Sequence, residues 1–504
     1  MHRNMISLAL CVAGALAQRQ AINTLQSAGF NSTFTLSGAQ IKAANLSTAV
    51  AADIEAGVRF DQSQLANGGP GEDDFYTLPS QYKHNASTLK PGTLLKVQKY
   101  TDPTNFTLPA NTALSRILYT TTNLNGTVLP ASAFVLWPFK AWIPSSSQES
   151  RSQAQAPAVL WLHGTSGIFA AQAPSSNRAL WYANRAPFAL AQDGFAVVAP
   201  DYAGLGVDKS FDGSDIPHQY LAAPAGAHDG LNALRAAKKA FQGRLTDEFV
   251  AFGHSQGGGV AWGVAEALAG GNRSGSGSGF ADLAPGFRGA IAGSPTTKVF
   301  NSPPAIILPW LSLALRGIFP SFTPATWLTP LGIARTALLR EVEGGFAVSE
   351  ALFLSTTGNE SVYKPSYDKT WYADAYSRLA DVGSKPFAGP LLVIQGTNDP
   401  VVNISFTSEA VQETCAFLKQ KGLSDDLEYL VVNGTGHVPT LGATRPVWLQ
   451  WIKDRFDGKA VERRGCVTSE LGSFLPLERY AATAYSYLQW AGAEEYNFEV
   501  PLGV

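Results

Sequence analysis

Short apolar runs, each closed by glycine or a polar loop, recur along the middle of the chain, with amphipathic stretches between them. "AVLWLHG" (Ala158–Gly164), "FAVVAPDYAGLG" (Phe195–Gly206), "EFVAFG" (Glu248–Gly253), "FRGAIAGSP" (Phe287–Pro295), "GPLLVIQGTNDP" (Gly389–Pro400) and "LEYLVVNGTGH" (Leu427–His437) are the clearest. An unbroken apolar strand has both faces buried. The pattern therefore predicts an α/β fold, a mostly parallel sheet covered by helices on both faces. "AHDGLNALRAAKKAF" (Ala227–Phe241) and the stretch after Ser255 supply helices with an apolar stripe. Upstream, "GTLLKVQKY" (Gly92–Tyr100), "SRILYTTTNLNG" (Ser115–Gly126) and "TVLPASAFVLWP" (Thr127–Pro138) have strand character, and "NLNG" predicts a hairpin turn between the last two.

Between about residues 296 and 385 the alternation stops. "AIILPWLSLALRGIFPSFTPATWLTPLGIARTALL" (Ala305–Leu339) is apolar and broken by prolines, which predicts short helices inserted over the sheet as a cap. Part of its apolar content is expected to pack on the core. The rest is expected to line an acyl pocket, with Trp310 and Phe322 as candidates. Residues 18–75 read as an N-terminal extension, and "ANGGPGEDDFY" (Ala66–Tyr76) as a loop within it. One domain from residue 18 to 504 accommodates all of this.

The amino terminus changes the picture. A basic start (His2, Arg3) leads into an apolar run from Met5 to Ala17, and "ALAQ" places small residues where a signal peptidase cuts. Residues 1–17 are expected to be a signal peptide, which makes the protein secreted or resident in the secretory-pathway lumen. Sequons at Asn31, Asn45, Asn85, Asn105, Asn125, Asn272, Asn359, Asn403 and Asn433 agree with export as glycosylation candidates. Cys11 lies in the signal. Cys415 and Cys466 remain, and in an oxidising compartment they are candidates for a disulfide, two free thiols being the alternative. No later apolar run is long and unbroken enough for a transmembrane segment. The net charge of −2 and the lack of a basic stretch give no footing for nucleic acid. Neither a phosphate-binding loop nor a metal-ligand spacing is present in the sequence, so no cofactor and no metal is expected. Oligomeric state is not readable.

The chemistry centres on "AFGHSQGGG" (Ala251–Gly259). Gly253-His254-Ser255-Gln256-Gly257 is G-x-S-x-G after a strand and before a helix, the context in which the serine of that motif is a nucleophile. Such a serine needs a base, and the base an orienting acid, in the chain order Ser, Asp, His, on loops after later strands. Asp399 follows "LLVIQGTN" and His437 follows "LEYLVVNGTG", so both positions and their order fit. His163 and His254 flank glycine turns and are expected to shape them. His218 and His228 precede the nucleophile, the wrong order for its base. The oxyanion donors expected are the N–H of Gln256 and one from "HGTSG" (His163–Gly167), with Thr165 first and Gly164 next.

The ordered motifs resemble the secretory lipases of the fungal lipase-A type, a branch of the α/β-hydrolase superfamily. "DDFYTLPSQYKHNASTLKPGTLLKVQ", "RILYTTTNLNGTVLPASAFVLWP", "WLHGTSG", "VVAPDYAGLG", "PHQYL", "GHSQGG", "GTNDPVV" and "GTGH" occur in the family's order, across roughly residues 70 to 450. The resemblance implies Ser255, Asp399 and His437 as catalytic residues, Gln256 in the oxyanion hole, and a helical cap over an acyl pocket. It also implies a small-molecule or lipid ester substrate, with transient contact at a lipid interface consistent with an apolar cap. Where the family has an acidic residue and a cysteine after "HGTSG", this chain has Ala170 and Gln172, so that disulfide is not expected here. The function expected is a serine carboxylic-ester hydrolase. Acyl transfer and deacetylation of a natural product are the nearest alternatives, with a peptidase and a non-catalytic binding protein behind them.

Overall fold

The computed structural model describes residues 33–82, 88–145, 155–273, 279–300, 306–355 and 361–480. Residues 1–17, expected to be a signal peptide and containing Cys11, and the sequons at Asn31, Asn85 and Asn359 lie outside the described residues, as does the side chain of Asn272. Ten strands form one sheet: β1 (Leu94–Gln98), β2 (Ala113–Thr122), β3 (Val128–Trp137), β4 (Ala156–Leu162), β5 (Ala196–Pro200), β6 (Leu245–His254), β7 (Phe287–Gly293), β8 (Leu391–Gly396), β9 (Leu427–Val432) and β10 (Cys466–Leu471). Their spatial order is β1-β2-β3-β5-β4-β6-β7-β8-β9-β10. The pairings β1–β2, β2–β3 and β3–β5 are antiparallel. From β5 to β10 every pairing is parallel. The β2–β3 hairpin closes where expected: Asn123 N–H donates to Thr127 O at 3.1 Å, and Gly126 takes a φ of 78°.

Helices α1 (Gly38–Ala43), α2 (Thr48–Ser63), α3 (Pro187–Gln192), α4 (Ala223–Ala240), α5 (Gln256–Arg273), α6 (Ile307–Arg316), α7 (Pro330–Glu341), α8 (Phe346–Leu354), α9 (Trp371–Ala380), α10 (Ile404–Lys421), α11 (Pro439–Ala443) and α12 (Arg445–Phe456) complete the fold. Local chemistry sets several ends. Ser47, Thr329 and Asn403 cap α2, α7 and α10 by accepting from Val50, Gly332 and Ser405 N–H groups, and left-handed Gly422 ends α10.

The period of two along each apolar strand sorts its residues between two layers. Leu160 and Leu162 of β4 join the core under α4 and α5, with Leu231, Leu234, Val260 and Trp262. Val159 and Trp161 face the opposite core, with Phe195, Phe252, Trp448 and Ile452. A third core lies off the sheet. It joins Ile54 and Val58 of the N-terminal helix α2 to Trp310, Leu311, Val348 and Tyr376 of the helices inserted between β7 and β8. The insertion is helical, as its prolines and apolar runs imply. Three of its large aromatics, Trp310, Phe322 and Trp327, are buried in that third core, while Trp371 at the start of α9 is exposed.

Strand β10 has no signal in the sequence. Along "CVTSEL" the side chains alternate between exposed and half-exposed, so this edge strand has no buried face to create a pattern. It is held through its backbone pairing to β9 and through the disulfide Cys415–Cys466, which ties it to α10. The bridge spans a sequence separation of 51 residues. A closed loop of this length is worth about 4 kcal/mol in the chain-entropy account. Cys415→Ser, or reduction of the native chain, should therefore lower the melting temperature and increase proteolysis beyond β9. Unchanged melting and digestion would mean that backbone pairing alone retains the strand.

Candidate active site

Ser255 stands between the end of β6 and the first residue of α5 with a φ of +59°. This left-handed backbone is strained for a residue with a side chain, and such strain concentrates at functional positions. Packing imposes it. A Cβ on Gly253 would lie 1.9 Å from Gly257 O, and one on Gly257 would lie 1.9 Å from Leu162 O. Neither glycine can be replaced without moving backbone. Ser255 N–H is fixed on Gly293 O at 2.9 Å, which ties the turn to β7. The amide of Gln256 opens α5, where the unpaired N–H groups and the helix dipole favour negative charge.

Parallel strands deliver their following loops to one edge of the sheet, and three such loops meet here. The loop after β8 carries Asp399 and the loop after β9 carries His437. His437 Nδ1 lies 2.7 Å from Asp399 Oδ2. Asp399 also accepts from Gln395 Nε2 at 2.9 Å, Val401 N–H at 2.9 Å and Val402 N–H at 2.8 Å. Burial alone would raise its pKa, but the adjacent His437 and the Val402 and Val401 amides hold the carboxyl below the usual carboxylate range. Gln395 had a signal in the sequence: it is the one polar residue in "LLVIQG", it is fully buried, and its Oε1 accepts from Thr407 Oγ1 at 2.9 Å.

Ser255 and His437 line the same cavity of about 920 Å³. The Ser255 hydroxyl has no hydrogen-bond partner among the described residues. Thr165, the sequence's choice for the second oxyanion donor, also lines the cavity, and its Oγ1 is 3.0 Å from Tyr220 Oη. Gln256 is steadied by His218. His218 Nδ1 lies 3.1 Å from the Ala203 carbonyl, which can only accept, so Nε2 is free to accept from Gln256 Nε2 at 3.2 Å. Burial pushes the His218 pKa down to about 4, which keeps that ring neutral. Gln172 stands where the resemblance led to a departure. Its Oε1 accepts from Phe169 N–H at 2.8 Å and its Nε2 donates to Glu343 O at 2.6 Å, fastening the loop after β4 to the end of α7.

The remaining walls are largely apolar: Leu221, Val299, Val401 and Leu477, with Ile307 of α6 and Phe346 of α8. Trp310 and Phe322, the candidates from sequence, do not line the cavity. Trp310 packs edge-on against Tyr220 at 5.5 Å and donates to Ser349 Oγ at 3.0 Å, while Phe322 packs on Trp327. The apolar stripe of α6 that holds these helices together takes its largest side chain inward. Trp181 and Tyr182 also line the site and carried no legible signal in the sequence. Cys415–Cys466 is remote in role, holding β10 rather than any of these side chains. Among the described residues no group of three or more His, Cys, Asp or Glu is arranged to hold a metal ion, and no helix is long and apolar enough to cross a membrane.

The family model described as "Alpha/beta hydrolase family" matches residues 159–449. No curated protein matches the sequence. Among solved structures, Candida antarctica lipase A aligns over 78% of this chain and 88% of its own, with a TM-score of 0.57 and 18% identity. Its closed state aligns over 80% and 90%, with a TM-score of 0.58 and 17% identity. A rice cell wall degrading esterase, LipA from Xanthomonas oryzae, aligns over 74% of this chain and all of its own, with a TM-score of 0.51 and 16% identity. At these identities the structural likeness is one of fold. With the family match covering more than half of its residues, and the strand–serine–helix turn on a mostly parallel sheet, the chain belongs to the alpha/beta hydrolase family.

Proposed function

We propose that the protein is a secreted serine carboxylic-ester hydrolase of the lipase-A type. One observation carries the reading: a serine in strained left-handed backbone at a helix start shares its cavity with a histidine whose far nitrogen is bonded to a buried carboxylate. Ser255 Oγ attacks the ester carbonyl carbon and its proton passes to His437 Nε2. Asp399 holds the Nδ1–H and stabilises the imidazolium. The oxyanion is taken by the Gln256 N–H and by a donor from the Thr165 loop. The alcohol leaves with the proton from His437, and water then releases the acid from the acyl-enzyme.

Ser255→Ala should reduce p-nitrophenyl ester turnover by about 10³-fold or more and abolish fluorophosphonate labelling. Turnover by the wild type should persist in EDTA, because the three side chains need no ion. Full activity in the alanine variant, or a loss in EDTA restored by zinc or calcium, would count against the assignment.

Ile307 and Phe346 are the apolar side chains of the inserted helices that line the cavity, beside the acidic Glu350 of α8, so these two are assigned to the acyl wall. Each acyl methylene buried there gains about 0.8 kcal/mol, close to fourfold. Alanine at either position should cost long-chain esters about 10-fold or more while leaving acetate nearly unchanged. Trp310→Ala should instead destabilise by about 3–5 kcal/mol and lower activity on all chain lengths alike. An equal loss on acetate and long esters for Ile307→Ala and Phe346→Ala would remove them from the substrate site.

Export is supported by exposed asparagines at five sequons: Asn45, Asn105, Asn125, Asn403 and Asn433. The mature chain should lack residues 1–17 and lose mass on enzymatic deglycosylation. Intact-mass measurement of the native protein checks both, and a chain that keeps Met1 and carries no glycan would contradict the export reading.

A further inference from the structure

The segment from Leu180 to Ala183 is strained beyond what a connecting turn requires: Leu180, Trp181 and Ala183 have φ values of 52°, 65° and 46°. All three carry side chains, and such strain persists only where the surroundings over-determine it. Two contacts do so. Trp181 Nε1–H donates to Gly164 O at 3.2 Å. The Tyr182 hydroxyl lies over the Cα of Gly164, where a Cβ would come within 2.1 Å of it, so only glycine fits there. Tyr182 then reaches His254 Nδ1 at 2.6 Å.

His254 is the residue directly before the nucleophile, and it is fully buried. Its Nε2 lies 3.0 Å from the main-chain carbonyl of His437. A carbonyl oxygen only accepts, so Nε2 carries the proton. Nδ1 of the neutral ring must then accept, and Tyr182 O–H is its donor. The chain of bonds runs one way: Tyr182 O–H to His254 Nδ1, and His254 Nε2–H to His437 O. The two histidine rings sit 4.6 Å apart between centroids.

We propose that His254 and Tyr182 are positioning residues for His437, pinning its backbone while Asp399 pins its ring. This rests on reading His437 as the general base. The bond from Asp399 fixes one ring nitrogen and leaves a pivot about it. The loop preceding His437, "NGTG", is tied to the neighbouring strands through Gly434 N–H on Thr397 Oγ1 at 2.8 Å and Thr435 O, which accepts from Asn398 N–H at 3.0 Å, and the His254 bond to His437 O extends that anchoring to the base itself. Anchoring the His437 carbonyl to the residue before Ser255 locks base and nucleophile into one frame. Burial lowers the pKa of His254 well below that of an ordinary histidine, so no second positive charge faces the imidazolium formed during the reaction.

The test uses the full chain with p-nitrophenyl butyrate and the variants Tyr182→Phe, His254→Phe and His254→Gln, alone and combined with Asp399→Asn. A base displaced by about 1 Å can cost about 100-fold. The inference expects kcat to fall about 100-fold in His254→Phe and about 10-fold in Tyr182→Phe, with KM within about twofold of wild type. His254→Gln, which keeps a donor for the His437 carbonyl, should recover much of the loss. The effects of His254→Phe and Asp399→Asn should be less than additive, because both act through one ring. Wild-type kcat in Tyr182→Phe and His254→Phe would overturn the inference. So would losses that add fully to Asp399→Asn and that glutamine does not rescue. If His254→Phe fails to fold, Tyr182→Phe decides alone, since it removes a single oxygen. Ser255→Ala separates the two levels. If it retains turnover, the reading of the site falls. If it is inactive while the positioning variants behave as wild type, only the positioning role falls.

Discussion

Three pieces of backbone are forced into contact where β6 turns into α5, and the rest of the site is arranged around that crowding. Gly253 meets Gly257 and Gly257 meets the end of β4 at distances that admit no side chain. The residue between them can only turn through left-handed backbone, and its side chain is thrown clear of the sheet. The same contact brings the end of β4, with Gly164 and Thr165, beside the serine. The position of Ser255 and that of the loop after β4 therefore follow from one packing constraint rather than two.

The second constraint is electrostatic. Asp399 is buried, and a buried carboxylate must be fully satisfied to stay ionised. Gln395, two backbone amides and His437 supply its donors. The neighbouring histidines His163 and His218 are buried without a carboxylate partner, and burial pushes each down to about 4. They are neutral props stacked through Tyr202, and His218 has its tautomer fixed by donating from Nδ1 to the Ala203 carbonyl. Asp399 thus meets His437, with the neutral, buried rings of His163 and His218 held nearby on backbone carbonyls.

The inserted helices and the N-terminal helix α2 share a core that is separate from both cores of the sheet. Its aromatic content holds this layer together and leaves only a few side chains, Ile307 and Phe346 among them, for the cavity. Composition could not separate these uses. An apolar residue that stabilises the layer and one that would meet an acyl chain look alike in a sequence. The helical periodicity that would sort them is cut into short pieces by Pro309, Pro320, Pro324 and Pro330.

The sequence by itself determined the α/β class, the hairpin at "NLNG", the helical nature of the insertion, and the chain order of Ser255, Asp399 and His437. Each of these is written locally: an unbroken apolar run, a turn composition, a proline spacing, a polar residue just past a strand. Tertiary structure decided what no local pattern encodes. It joined Cys415 to Cys466 by placing β10 beside β9, a pairing made by backbone on a strand with no buried face. It turned Trp310 and Phe322 into the insertion's own core. It also brought Tyr182 to His254 and His254 to His437, although Tyr182 is 72 residues from His254 and His254 is 183 from His437. Hydrogen bonds at such separations leave no periodicity in the chain, and they exist only once the sheet has set its loops along one edge.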